Sequence, residues 1–178
     1  MSDHFTNAGL FLVKTLFELY LFVLMIRLIL AYAQANYFNP IVSLIIKITQ
    51  PLVAPLRRVI PNYRRIEIST VLLIIIFELI KLSLLFLLTR GMPSLFMLLS
   101  FAFFEAVRLL LQTFFYAIIL QALMSWFQPG DTPATQILRQ LSAPILNPLR
   151  QIIPPIGGFD ITPIPALLLL QLLIILLP

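Results

Sequence analysis

Hydrophobic residues along this chain gather into four long runs, separated by short polar stretches. The runs cover residues 10–34, 68–88, 94–127 and 161–177. A helix needs about 20 apolar residues to cross the hydrocarbon of a bilayer. The first two runs therefore predict one transmembrane helix each, and the fourth is at the short limit. The third would be about 51 Å long at 1.5 Å per residue, too long for one upright crossing. Gly9, Gly91, Gly130, Gly157 and Gly158 all lie at or between run boundaries. Thr162-Pro163 reads as an N-cap followed by a first-turn proline, and Ser69 as a cap of the second helix.

The polar stretches have a pattern of their own. Over residues 40–61, Ile41, Leu44, Ile45, Ile48, Leu52, Leu56 and Val59 recur at helical spacing, with Ser43, Lys47, Gln50, Arg57 and Arg58 on another face. Residues 133–154 set Leu138, Leu141, Ile145, Leu149 and Ile152 against Arg139, Asn147, Arg150 and Gln151. Both predict amphipathic helices. Pro51 and Pro55, like Pro144 and Pro148, are expected to divide each stretch into two short helices. Two placements stay open. The segments lie on the membrane surface with their basic groups toward lipid phosphates, or they pack on the helix bundle while the arginines snorkel into water.

The two stretches are copies of one another. Pro51-Leu-Val-Ala-Pro-Leu-Arg-Arg-Val-Ile-Pro61 matches Pro144-Ile-Leu-Asn-Pro-Leu-Arg-Gln-Ile-Ile-Pro154 at six of eleven positions. The register continues, with Glu67-Ile68-Ser69 opposite Asp160-Ile161-Thr162. Upstream, one inserted residue sets Lys14 opposite Arg108, Glu18 opposite Gln112 and Arg27 opposite Gln121. The chain thus reads as two repeats, residues 1–90 and 94–178, each a helix, an amphipathic loop and a helix. The predicted fold is an all-α membrane protein of four transmembrane helices, arranged as two parallel-repeat hairpins. The mapping narrows the third crossing to about 107–127. Residues 94–106 either extend that helix or lie in the interface.

Charge sets the orientation. The first loop carries Lys47, Arg57, Arg58, Arg64 and Arg65, and the third carries Arg139 and Arg150. The second loop has only Arg90. The positive-inside rule places the first and third loops in the cytoplasm and both termini outside. Ala33-Gln34-Ala35 resembles a leader-cleavage site, but Glu18 and Arg27 interrupt the apolar stretch before it, so no cleavage is expected.

Composition excludes a soluble domain: 61% of the 178 residues are hydrophobic and 11% charged, with a mean hydropathy of +1.04. There is no cysteine, and the one histidine is His4. No catalytic residue, cofactor or metal site is expected. The net charge of +5 sits beside apolar runs, which points to anionic lipid headgroups and not to nucleic acid.

Ionisable groups inside the crossings cost about 2.5–3.5 kcal/mol each on insertion scales. They are therefore expected to pair, and depth along the helices suggests Arg27 with Glu78 and Glu18 with Lys81. In the second repeat Gln112, Gln121 and Gln171 fall at the positions of Glu18, Arg27 and Glu78. That exchange of charge for amide favours polar residues acting as interhelical glue. The alternative is a proton or cation path through Glu18, Glu78 and Glu105.

The duplicated proline–arginine segment, followed by Gly157-Gly158-Phe159-Asp160-Ile161-Thr162-Pro163, resembles the signature of the bacterial YggT family, related to YlmG proteins. The resemblance covers essentially the whole chain. In the first copy Arg64-Arg65 replaces the glycine pair, Glu67 the Asp and Thr70 the Pro, so a role for the acidic turn is safer at Asp160 and Thr162. The resemblance implies a multi-pass inner-membrane protein without established catalysis, linked to envelope or cell-division organisation or to osmotic stress tolerance. A non-enzymatic scaffold or assembly factor is the leading expectation. Lys47, Arg57, Arg58, Arg139 and Arg150 would face anionic lipid or a membrane or peripheral protein partner. A small ion channel or transporter subunit, built as a homo-oligomer, is the alternative.

Overall fold

The computed structural model describes residues 2–89, 91, 93–127, 130–153 and 160–178, with the side chains of 2–6, 89, 126 and 127 left aside. Arg90 and the Gly157-Gly158-Phe159 turn lie outside the described residues, as does the side chain of His4. Among the described residues six helices follow one another: α1 Ser2–Tyr32, α2 Pro40–Val59, α3 Ile68–Thr89, α4 Leu95–Phe127, α5 Pro133–Ile152 and α6 Pro163–Leu176. Three of them contain stretches long and apolar enough to cross a membrane: Asn7–Tyr32, Ile68–Leu88 and Leu95–Ser125. With 14 residues, α6 spans only about 21 Å at 1.5 Å per residue.

The first of the long helices, α1, packs chiefly on α3, while α4 packs on α3, α5 and α6. Arg27 of α1 meets Glu67 just before α3 while Phe17 meets Phe77, Phe86 of α3 meets Phe101 of α4, and Arg108 of α4 meets the carbonyl of Leu177 beyond α6, so α1 and α3, α3 and α4, and α4 and α6 run antiparallel. Consequently the C-terminal ends of α1 and α4, the start of α3 and of α6, and both α2 and α5 collect at one end of the bundle, here called the loop end. A core runs through it, built from Leu24 and Ile29 of α1, Val42 and Val53 of α2, Ile74 of α3, Ile118 of α4, Leu146 of α5 and Ala166 of α6. At mid-bundle, Phe77 of α3 meets Phe17 and Tyr20 of α1 at ring-centroid distances of 5.9 and 5.1 Å.

Residues 95–106 extend α4 rather than forming a separate piece. The cause is packing: Leu98 and Ala102 are buried, and Phe101 stacks on Phe86 of α3 with centroids 6.1 Å apart. The continuous α4 is therefore about 50 Å long.

Pro51, Pro55, Pro144 and Pro148 do not divide their helices: α2 and α5 run through them unbroken. A proline removes one backbone donor and crowds the carbonyl four residues earlier. The i, i+4 spacing puts both prolines of a pair on one stripe, and in α2 that stripe is exposed. The freed carbonyls face outward, and the opposite stripe, anchored in the core by Val42, Ile45, Thr49 and Val53, keeps the helix in line.

The surface of α2 has three faces. Val42, Ile45, Thr49 and Val53 are buried against the bundle. Leu44, Ile48, Leu52 and Val59 form an apolar stripe that remains exposed. Ser43, Lys47, Gln50, Arg57 and Arg58 make the third, polar face, and all five are exposed. On α5 the counterpart of the open stripe is closed over its first half, where Ile137 and Leu141 are buried, and open at its end, where Ile152 is exposed. The two amphipathic helices touch each other. At the start of α2 the Asn39 carboxamide accepts from the Ile41 N–H at 2.9 Å and donates to the Pro133 carbonyl at 2.8 Å, which ties this cap to α5.

Candidate functional site

Polar side chains collect in two places. The first is at the loop end, around Arg27. Its guanidinium donates from Nε to Glu67 Oε2 and from Nη2 to Glu67 Oε1, both at 2.9 Å. Nη1 donates to the Thr49 hydroxyl at 2.8 Å and to Gln50 Oε1 at 3.2 Å. Glu67 Oε2 also accepts the Thr70 hydroxyl at 2.7 Å. One arginine on α1 thus clasps α2 and the residue preceding α3. The side chains of Arg27 and Glu67 are each only 6% exposed, so this is a desolvated, bidentate pair. Burial by itself pushes the Glu67 carboxyl up, but its bonds to Arg27 and Thr70 and the nearby charge of Arg57 outweigh it and hold it below the usual glutamate range.

Arg27 therefore does not pair with Glu78, and the depth argument is corrected here. The Ser69 hydroxyl does not cap α3 either, since it donates to the Ile60 carbonyl at 3.3 Å. In the sequence Glu67 and Thr70 stand out only as departures from the Asp160 turn, and Thr49 is not singled out. Thr49 carried a signal all the same: it sits on the stripe of Val42, Ile45 and Val53, where a hydroxyl needs a buried partner.

The corresponding place in the second half is wired differently. Ser142, aligned with Thr49, bonds Gln121, aligned with Arg27. Asp160 is held by Arg150, from Nε at 2.9 Å and from Nη2 at 2.7 Å. Its other oxygen accepts the backbone N–H of Thr162 at 3.0 Å and the Thr162 hydroxyl. Thr162 precedes α6 but its side chain makes no cap bond to the helix. Burial raises the Asp160 carboxyl, yet Thr162 and Arg150 together bring it below the usual aspartate range. Lys47 and Arg58 are exposed, and Arg139 lies 3.1 Å from Asp131 on the surface.

The second polar place lies farther along the bundle. A cavity of about 390 Å³ is lined by Thr15, Glu18, Glu78, Lys81, Glu105 and Gln112, with Leu19, Leu21, Phe22 and Leu109 completing its wall. Lys81 Nζ is 2.6 Å from Glu78 Oε2, and the two side chains are 5% and 2% exposed. Glu18 pairs with Lys14 at 3.8 Å on the surface and not with Lys81. Glu105 pairs with Arg108 at 3.3 Å. The structure brings Glu18, Glu78 and Glu105, the three carboxylates of the alternative path, to one void. Gln171 is exposed and joins neither cluster. Among the described residues no group of His, Cys, Asp and Glu is placed to hold a metal ion.

The sequence model of the family described as CCB3/YggT matches residues 6–88 and again 100–178. The chain is 34% identical over 167 residues to the "Uncharacterized protein YggT" of Escherichia coli (strain K12), covering 94% of this chain and 87% of that one. It is 35% identical over 170 residues to an uncharacterized protein of Pseudomonas aeruginosa, covering 94% and 86% respectively. A Vibrio alginolyticus protein is 35% identical over 159 residues, or 88% of this chain and 85% of the relative. No solved structure matches the chain.

Proposed function

Because the chain belongs to the CCB3/YggT family, whose model matches both of its halves, we propose that it is a non-enzymatic scaffold or assembly factor of the bacterial inner membrane. In this reading it comprises two hairpin repeats with four crossings and both termini outside. Its task belongs to envelope or division organisation, or to osmotic tolerance. The observation that carries it is the three-way surface of α2. One face is bolted to the bundle, one is apolar and open, and one bears Lys47, Arg57 and Arg58. A helix at a membrane boundary has to satisfy protein, acyl chains and water at once, and this division does so. The Arg27 clasp fixes α2 to α1 and α3, so the basic face is a rigid platform for anionic headgroups and for a protein partner.

A photo-crosslinking residue at Lys47 or Arg139, introduced in living cells, tests the scaffold. The expected result is the same protein captured from both positions, with the Lys47 adduct lost when Arg27→Ala frees α2. Adducts with lipid alone would sink the scaffold reading.

A second reading, a small ion-conducting subunit, is favoured by the cavity that gathers Glu18, Glu78 and Glu105. Purified chain reconstituted in liposomes would then pass protons or alkali cations, and Glu78→Gln would cut the flux at least tenfold. Liposomes as tight as protein-free ones would eliminate it.

A further inference from the structure

Two adjoining cavities at the loop end lie apart from the acidic void and share one wall, Arg27, Gln50 and Glu67, with the clasp. They measure about 480 and 420 Å³ and share Ala31, Ala35, Tyr37, Arg57 and Glu67. The outer one is rimmed by Arg57, Asn62, Arg64 and Arg65. The inner one continues along Leu30, Val42, Ile45 and Ile46. A cationic mouth thus opens onto a trough that is apolar along one wall, with Arg27, Gln50 and Glu67 on the other.

The charge at the mouth is not balanced from within. Glu67 is the one carboxylate in either lining, and Arg27 already holds both of its oxygens. Arg57 approaches Glu67 only to 3.7 Å. Arg64 lies over the Tyr63 ring, 5.7 Å from its centroid. Among the described residues Arg65 has no hydrogen-bond or ion-pair partner. Three guanidinium groups around one void repel each other unless an anion enters.

The backbone adds a second, independent observation. Tyr63 and Ile66 form a two-residue turn, with Tyr63 N–H to Ile66 O at 3.2 Å and Ile66 N–H to Tyr63 O at 3.0 Å. Its first central residue, Arg64, has φ +53°, a left-handed conformation that glycine adopts without steric cost and arginine does not. Alignment of the two halves sets Gly157-Gly158 opposite Arg64-Arg65. The first half therefore keeps an arginine, Arg64, where the backbone favours glycine. Strain of this kind marks sites where the side chain has work to do.

We propose that this double cavity binds one anionic phospholipid. The guanidinium groups of Arg57, Arg64 and Arg65 receive the headgroup phosphate, for which the arginine fork is suited. Asn62 and the Tyr37 hydroxyl meet the remaining polar headgroup atoms. The glycerol and the first acyl carbons lie along Leu30, Val42 and Ile46. The apolar wall of the trough is what selects a lipid over free phosphate. Both volumes fall within the range of ligand sites. The site deepens the reading of the loop end as a membrane-facing platform. Its own test is run in micelles, where crosslinking partners and membrane orientation play no part.

Full-length chain, stripped of lipid in a neutral detergent, is titrated with phosphatidylglycerol, phosphatidylcholine or inorganic phosphate, and bound molecules are counted by native mass spectrometry. One phosphatidylglycerol is expected to bind in clear preference to phosphatidylcholine. The double change Arg64→Gly, Arg65→Gly should weaken it roughly tenfold or more, two arginine–phosphate attractions being lost. The thermal transition of that variant should stay near its wild-type place, because glycine relaxes position 64 and offsets the chain entropy added at 65. Wild-type affinity in the double variant, or equal affinity for phosphatidylcholine, would overturn the site. Inorganic phosphate binding as tightly as the lipid would overturn its assignment to an amphiphile. Loss of the lipid with the protein crosslink intact would leave the scaffold standing, and the reverse result would leave the lipid site standing.

Discussion

Replacing Arg27 by alanine is expected to destabilise the folded chain by about 3–5 kcal/mol, the usual cost of stranding one partner of a buried ion pair. The size of the effect follows from what the guanidinium holds. It supplies four hydrogen bonds to Glu67, Thr49 and Gln50. Without it the Glu67 carboxylate, 6% exposed, keeps only Thr70 and the distant Arg57 as compensation. The double change Arg27→Met, Glu67→Gln removes both charges and should recover a large part of the loss, since neutral groups of similar shape often replace a buried pair at little cost. Equilibrium unfolding in mixed micelles of the wild type, Arg27→Met, Glu67→Gln and the double variant gives the four corners of this cycle. Additive losses would show that the pair does not hold α2 in place. Amide exchange along α2 should accelerate in Arg27→Ala before α1 or α3 responds, because α2 docks through a single stripe.

Lys81→Met should cost a comparable amount, about 3–5 kcal/mol. It leaves Glu78, whose side chain is 2% exposed, facing Glu18 and Glu105 across one cavity with no cation of its own. Coulombic repulsion among the three then adds to the desolvation of Glu78. Adding Glu78→Gln to Lys81→Met should restore most of the stability. If Lys81→Met unfolds at the wild-type denaturant midpoint, the pair is not the polar glue of this part of the bundle. The aligned residues of the second half, Gln171 and Ile174, carry no charge. Gln171 is exposed, so the second half manages without an equivalent cluster.

Much of the architecture was visible in the hydrophobic pattern. The two amphipathic helices begin at Pro40 and Pro133, where the polar and apolar stripes first alternate at helical spacing. The apolar runs mark α1, α3 and α6 to within a few residues apart from the ends of α1, which begins well before residue 10. The pairings were another matter. Counting residues from the loop end fixes depth along a helix but not the direction a side chain faces. Nine residues at about 100° each put Glu18 and Arg27 on opposite sides of α1. They cannot both face α3, and the two predicted pairs were incompatible from the start. Glu67 ranks below Asp160 in the sequence because the first copy departs from the motif there, and its loop position gives no sign of burial, since loops are read as solvated. The continuity of α2 across Pro51 and Pro55 was hidden for a different reason. Proline's cost depends on where the freed carbonyl points, and that is decided by tertiary packing. The gathering of Glu105 with Glu18 and Glu78 depends on how α4 lies against α1 and α3, which no local pattern reports.

The unequal lengths of α4 and α6 carry a mechanical consequence. A hydrocarbon layer is about 30 Å thick, while α4 runs to about 50 Å and α6 to about 21 Å, and the two are packed side by side. With both helices embedded, no flat sheet of lipid suits them together. If α6 crosses beside α4, the bilayer would pucker inward along α6 and accommodate overhang or tilt along α4. Such a dimple gathers short or flexible acyl chains around one flank, so the protein would sculpt the thickness of its own lipid annulus and settle where the membrane is already thin.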